Sequence, residues 1–280
     1  MAQLPAPQQV TRIATRLGAL HVRTIGDGRT TVLWPSMFVD GTTWDPLVAH
    51  LGTGRRYVLV DGPGLGLSDP LTQSTDIAGA ADAARDLLAG LGVTEPVDWV
   101  GNAFGDHVGY KLAAEPGVLR SLVAISAPAE PIPAALRAKI NVLLPLLRLA
   151  GPGGPVRGAV IGAMLTDASA RDEDIRRIVV ESLERPTRRS LTTAIRSFIL
   201  DRRDVSAELG AIDVPCLYVA SDDRGDWTPE AAARAAARTP RATAVTVPRA
   251  RTLIPLEQPE RVAEQLLGFW ADLDDAHRAP

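Results

Sequence analysis

The chain carries a single cysteine, Cys216, in 280 residues. One thiol excludes an internal disulfide and any thiolate metal cluster, and within "VPCLYVAS" it reads as a small buried strand residue. A large excess of either charge is also missing. Lys plus Arg number 30 against 33 for Asp plus Glu, a formal net charge of -3, which offers neither nucleic acid nor an anionic membrane surface a reason to bind. No long apolar run occurs: the N-terminal "MAQLPAPQQVTRIATRLG" lacks the core of a signal peptide or membrane anchor, and "VLLPLLRLAG" is too short to span a bilayer. These absences lead to the expectation of a cytoplasmic, reduced setting. No Gly-rich phosphate loop is present, and no His or carboxylate cluster has metal-ligand spacing, so no cofactor and no metal are expected.

What is present is an ordinary globular composition, 46% hydrophobic and 22% charged, in a chain long enough to bury a sizeable core. Strands alternate with helices. "ALHVRTIG", "TTVLWP" and "YVLVDGPG" read as strands, with "TWDPLVAHLGTG" a short amphipathic helix closed by glycine. "DIAGAADAARDLLAGLGV" reads as a helix with Asp76 as N-cap. "VDWVGN" is a strand, "AFGDHVGYKLAAEPG" a helix, and "LRSLVAISAP" another strand. From 129 to 210 proline-punctuated helical segments follow without any strand pattern, and the alternation then resumes with "CLYVAS", "PEAAARAAARTP", "ATAVTVP" and "PERVAEQLLGFWADL". The expected fold is α/β, a mostly parallel central sheet flanked by helices. Its core spans 1–128 and 211–280, and a helical insertion spans 129–210.

Four stretches, in order and at suitable distances, carry a resemblance. "VLWPSMFVDGTTWDPL" resembles a strand and loop that supply half of an oxyanion hole, "VDGPGLGLSD" an Asp-x-x-Gly-x-Gly-x-Ser turn, and "GNAFG" a G-x-Nuc-x-G elbow. "SDDRGDWTPE" and "VPRARTLIPLEQPERV" resemble an acid loop and a histidine loop. Together they resemble the α/β-hydrolase superfamily from about His21 to Trp270, which implies the α/β-hydrolase fold with 129–210 as its helical cap. Gly101 and Gly105 would let the strand turn sharply into the helix and present residue 103 at the carboxyl edge of the sheet.

Against that pattern the catalytic positions read as a degenerate triad. Ala103 stands where the nucleophile belongs, and a methyl group has no lone pair with which to attack. Thr252 stands where the resemblance implies the histidine, and none of His21, His50, His107 and His277 falls on that loop. A threonine hydroxyl accepts no proton at neutral pH as imidazole does. Asp223 is the retained acid, with Asp222 and Asp226 as competitors; a turn-stabilising or capping carboxylate is the alternative. Asp106 stands where a small residue usually follows the elbow. Asp106 and His107 lie three and four residues after Ala103 and offer an acid–base pair if they reach the pocket; otherwise Asp106 complements a helix N-terminus and His107 is a core residue bonded to backbone.

The oxyanion donors implied by the resemblance are the amide of Phe104 and that of Ser36 or Met37. The apolar faces of "AKINVLLPLLRLAG", "VRGAVIGAML" and "LTTAIRSFIL" exceed what packing requires. With Met37, Phe38, Phe104, Met164, Phe198, Trp227 and Leu253 they are expected to line a hydrophobic cavity for a small molecule. No nucleic acid and no membrane are expected as partners, and the chain is expected to be a monomer or homodimer. Three functions remain open: a cofactor-free, non-hydrolytic enzyme (cyclase, isomerase or lyase) acting on a hydrophobic carbonyl compound, a ligand-binding pseudoenzyme, and a hydrolase, either inactivated by substitution or with residual water attack through Asp106 or His107.

Overall fold

The computed structural model describes residues 8–225 and 227–276; Asp226 and His277 lie outside them. The first described element is a strand that the sequence pattern did not reveal, β1 (Gln8–Thr15). Its side chains are exposed or half-buried throughout, so it carries no apolar run to betray it. It is defined by its full antiparallel register with β2 (Gly18–Ile25). Then come β3 (Arg29–Trp34), α1 (Asp45–Leu51), β4 (Arg55–Val60), α2 (Ile77–Gly90), β5 (Val97–Asn102), α3 (Phe104–Ala113) and β6 (Leu119–Ile125). Asp76 caps α2 by accepting from the Gly79 amide at 2.9 Å.

Between β6 and β7 (Cys216–Ala220) the described chain forms only helical structure. It comprises α4 (Ala134–Ala150), α5 (Gly154–Met164), α6 (Glu173–Glu184), α7 (Arg188–Ile195) and a π-helical turn over Arg196–Leu200, with short 3-10 turns at Ser169–Arg171 and Leu209–Ala211. The fold closes with α8 (Pro229–Ala236), β8 (Ala242–Thr246), α9 (Ile254–Glu257) and α10 (Pro259–Ala276).

The eight strands form one sheet in the order β1-β2-β4-β3-β5-β6-β7-β8. β1 and β2, and β2 and β4, pair antiparallel, and the remaining neighbours are parallel. Apolar cores fill both faces. One is built on Trp34, Trp99 and the helices following β5 and β6, the other on Trp44 and Trp270 with α1 and α10. β3 lies between β4 and β5, so the connections after β3 and β5 leave in opposite directions across the sheet. A crevice therefore opens at the carboxyl ends of these two strands, and Trp34 and Ala103 stand there.

The helical segment is fixed over that crevice by buried polar contacts. Ser190 Oγ accepts from the Leu71 amide at 2.9 Å and donates to the Gly64 carbonyl at 2.7 Å. Ser197 Oγ accepts from the Thr75 amide at 3.1 Å. Glu257 Oε1 accepts from both the amide and the hydroxyl of Thr166, each at 2.8 Å. Arg185 forms an ion pair with the buried Asp40. Such fully partnered buried groups fix a docking geometry that apolar contact alone leaves loose.

Candidate active site

Ala103 sits between β5 and α3 with φ 48° and ψ -100°. A non-glycine residue is strained there, and strain of this kind persists only where the surroundings over-determine it. They do: the Ala103 amide donates to the Ile125 carbonyl at 2.8 Å, and its own carbonyl accepts from the amides of Asp106 and His107. The flanking glycines are required by close approach. A Cβ on Gly105 would stand 2.1 Å from the Trp34 carbonyl oxygen, and one on Gly101 would stand 2.5 Å from the Gly105 carbonyl carbon. The strand–turn–helix read from "GNAFG" is therefore present with its strain intact.

Phe104 occupies the first position of α3, where an amide has no intrahelical acceptor. Among the described residues nothing accepts from the Phe104, Ser36 or Met37 amide. All three residues line a cavity of about 200 Å³ with Ala103 and Thr252. Of the apolar residues expected in its wall, Met37, Phe38, Phe104, Met164 and Phe198 are there, Phe104 and Phe198 stacking with ring centroids 4.5 Å apart. Trp227 and Leu253 are not. Trp227 packs on Tyr218 of β7, ring centroids 5.6 Å apart. Leu253 is 1% exposed and faces Trp44, Asn102 and Leu256, because the turn into α9 rolls it away from the cavity. Much of the roof comes from α4, where Leu136, Ile140, Leu143, Leu144 and Leu147 present one helical face inward, and from Val156, Ala159 and Val160 of α5.

The two residues after the elbow part company. Asp106 is 0% exposed and lies outside the cavity wall, its Oδ2 accepting from the Ile125 amide at 2.7 Å. Burial drives its carboxyl well above the usual range, and the amides of Ile125 and Gly101 only partly oppose this. Three residues past the elbow the helix points at β6, so the carboxyl braces the turn from behind. His107, one position on, does line the cavity. Its Nε2 lies 3.1 Å from the Pro128 carbonyl, which can only accept, so Nε2 carries the proton and Nδ1 is a lone-pair acceptor. Nδ1 is buried and meets no partner among the described residues. Burial, aided by the charge of Arg202, lowers the imidazole to about 3, so it stays neutral at physiological pH.

Thr252 reaches the cavity, but its groups are engaged. Its hydroxyl donates to the Ala163 carbonyl at 3.0 Å, its amide donates to the Met164 carbonyl, and its carbonyl accepts from Asn102 Nδ2 at 2.8 Å. Asp223 meets an arginine that sequence reasoning passed over: Arg251, 4% exposed, places Nη2 3.1 Å from Asp223 Oδ2. Partial burial works to raise the Asp223 carboxyl, but the Arg224 amide and the Arg251 guanidinium outweigh it and hold the group below its usual range. Arg251 also donates Nη1 to the Gly162 carbonyl, and its amide donates to Glu257 Oε2. The only available signal was a cation beside the expected histidine position, in "RART". Asp222, the competing acid, accepts from the Arg249 amide at 2.8 Å and so serves a turn.

Among the described residues no group of His, Cys, Asp or Glu side chains converges to hold a metal ion, and no helix is long and apolar enough to cross a membrane.

A sheet of this order, with a strained turn after β5 beneath a helical roof, defines an α/β-hydrolase fold. The Alpha/beta hydrolase family matches residues 31–265, and the chain belongs to it. No curated protein sequence matches the chain. Among solved structures it is similar to a thermophilic esterase from Thermogutta terrifontis, with 22% identity over 94% of this chain and 98% of that one and a TM-score of 0.83. It is similar to an enol-lactonase from Burkholderia xenovorans, with 19% identity over 93% and 100% of the two chains and a TM-score of 0.83. A carboxylesterase from Bacillus subtilis shows 24% identity over 95% and 93% of the two chains and a TM-score of 0.80. At these identities the likeness establishes the fold.

Proposed function

We propose that this protein is a cofactor-independent enzyme that rearranges, cyclises or eliminates from a hydrophobic carbonyl compound, with the triad chemistry of its fold lost. The observation that carries the reading is Ala103 at the strained turn, directly before the unsatisfied Phe104 amide. Acyl transfer needs a lone pair at that position; charge stabilisation does not. The amides of Phe104 and of Ser36 or Met37 act as donors to a substrate oxygen, and the segment 129–210 acts as a cap that excludes water. Catalysis then comes from positioning and from polarising a carbonyl or holding an enolate. The substrate is a largely apolar small molecule.

A second reading, a protein that holds such a ligand without converting it, draws on the state of the ionisable groups. Burial keeps the imidazole at the cavity neutral with Nε2 engaged by the Pro128 carbonyl, and Asp106 is sealed behind the turn.

Extraction of small molecules that copurify with the protein, followed by re-incubation of each with fresh protein and mass spectrometry, separates these readings. Rearrangement returns a product of equal mass and altered retention; elimination returns a lighter one. A compound that stabilises the protein but emerges unchanged supports the holding role. Turnover of a p-nitrophenyl acyl ester that disappears in His107→Ala would overturn both.

A further inference from the structure

α4 is apolar on two opposite sides. One side roofs the cavity; on the other, Val142 and Leu149 are 75% and 78% exposed, and Leu146 is exposed beside them. The described residues expose six large apolar side chains in all, and half of these fall within 142–149 of this one helix. Ala134, Ala135 and Ala138 continue the exposed side toward the start of the helix. A helix that is apolar all round belongs in a core or in lipid, yet this side of α4 is open to water. The charges that border it have one sign. By helical periodicity Lys139 lies along one border, and Arg137 and Arg148 lie along the other. The stretch 131–166 contains no Asp or Glu, and its remaining cation, Arg157 of α5, is paired with Glu184.

We propose that this outer side of α4 is a membrane-contact surface that seats on anionic lipid. The exposed apolar side chains enter the boundary between headgroups and acyl chains, and the long cations at the borders reach the headgroups over them. It is the apolar side that calls for a cover; charge selects which one. Two copies of the chain paired through α4 would set cations against cations, with no acid in 131–166 to relieve them, whereas an anionic surface complements both borders at once. With 17 residues the helix is about 25 Å long, and it lies in the interface rather than crossing it. The formal charge of -3 is a sum over the whole chain and conceals the positive sign of this segment. The inference stands independently of the reaction proposed above, and it lays the roof of the cavity against the phase in which an apolar compound dissolves.

Co-sedimentation with vesicles, one set of phosphatidylcholine and one an equal mixture with phosphatidylglycerol, tests this at neutral pH. The protein is expected to pellet with the mixed vesicles and to bind the neutral ones about tenfold or more weakly, since each cation near an anionic surface is worth about fivefold. Val142→Gln combined with Leu149→Gln should weaken binding to the mixed vesicles by about tenfold or more, the scale of a few methylene groups withdrawn from lipid. Both side chains are already in water, so the melting temperature should hold and show that the variant is folded. Arg137→Gln combined with Arg148→Gln should erase most of the preference for the mixed vesicles and leave binding to the neutral ones unchanged. The inference is overturned if wild type stays in the supernatant with both vesicle sets, or if the V142Q/L149Q variant pellets as wild type does. A wild-type dimer in light scattering that the same variant converts to monomer would assign the surface to a second copy and overturn it as well.

Discussion

Asp223 and Arg251 form an ion pair, Oδ2 to Nη2 at 3.1 Å, that ties the loop after β7 to the loop after β8. Thr252, the next residue, turns its hydroxyl toward the Ala163 carbonyl instead. The acid loop is thus committed to holding the 251–252 backbone under α5, and its carboxylate is satisfied without an imidazole. Ala103→Ser alone is therefore expected to show no p-nitrophenyl acetate hydrolysis, because no base reaches the new hydroxyl. Adding Thr252→His should yield slow hydrolysis, well below that of an intact triad, since the new imidazole must compete with Arg251 for Asp223. Equal activity in the single and double variants would show that residue 252 does not face the turn productively.

The backbone of the turn makes opposite predictions for two small substitutions. Ala103→Gly relieves a positive φ and is expected to raise unfolding free energy by about 1 kcal/mol, the lower end of such strain; ordinary Ala-to-Gly changes in helices lower it by about that amount. Gly105→Ala drives a methyl onto the Trp34 carbonyl and is expected to cost about 3 kcal/mol or more. Urea denaturation of the two variants measures both, and a destabilised Ala103→Gly would show that the turn is not strained.

His107 makes stability depend on acid. Its folded pKa, about 3, lies below its ordinary value, so the unfolded chain takes up a proton that the folded chain refuses between those limits. The stabilising contribution is complete above the ordinary histidine range and is lost as pH falls toward 3, by up to about 1.4 kcal/mol per pH unit. The stability advantage of wild type over His107→Gln should therefore shrink between neutral pH and pH 4. A constant gap across thermal melts at several pH values would place the imidazole in contact with water.

Asp106 acts with the opposite sign. Its carboxyl is raised in the folded state, so the folded chain holds a proton that the unfolded chain releases, and stability falls as pH rises above the ordinary carboxylate range. Asp106→Asn keeps an oxygen for the Ile125 amide and cannot ionise. Whatever fixed cost it carries, its stability relative to wild type should improve from pH 4 to pH 8. An unchanged difference would mean that the carboxylate is already ionised behind the turn.

Much of the scaffold was legible in the chain because it rests on local chemistry. Strand and helix alternation, the Asp76 cap and the glycines of "GNAFG" each state their structure within a few residues, and the absence of a nucleophile at 103 is a fact of composition. β1 was not legible, since an edge strand with no fully buried side chain leaves only a weak apolar period and is defined by its partner's hydrogen bonds. Side-chain destinations were legible only in part. That Asp106 faces β6 while His107 faces the cavity follows from how α3 is rotated against the sheet, and Leu253 was lost to the turn entering α9. The pairing of Asp223 with Arg251, separated by 28 residues, is likewise set by the packing of two loops after β7 and β8. Sequence determined which chemical groups were available; only the tertiary structure decided which groups meet, because burial, charge pairing and rotation about a helix axis depend on neighbours far away in the chain.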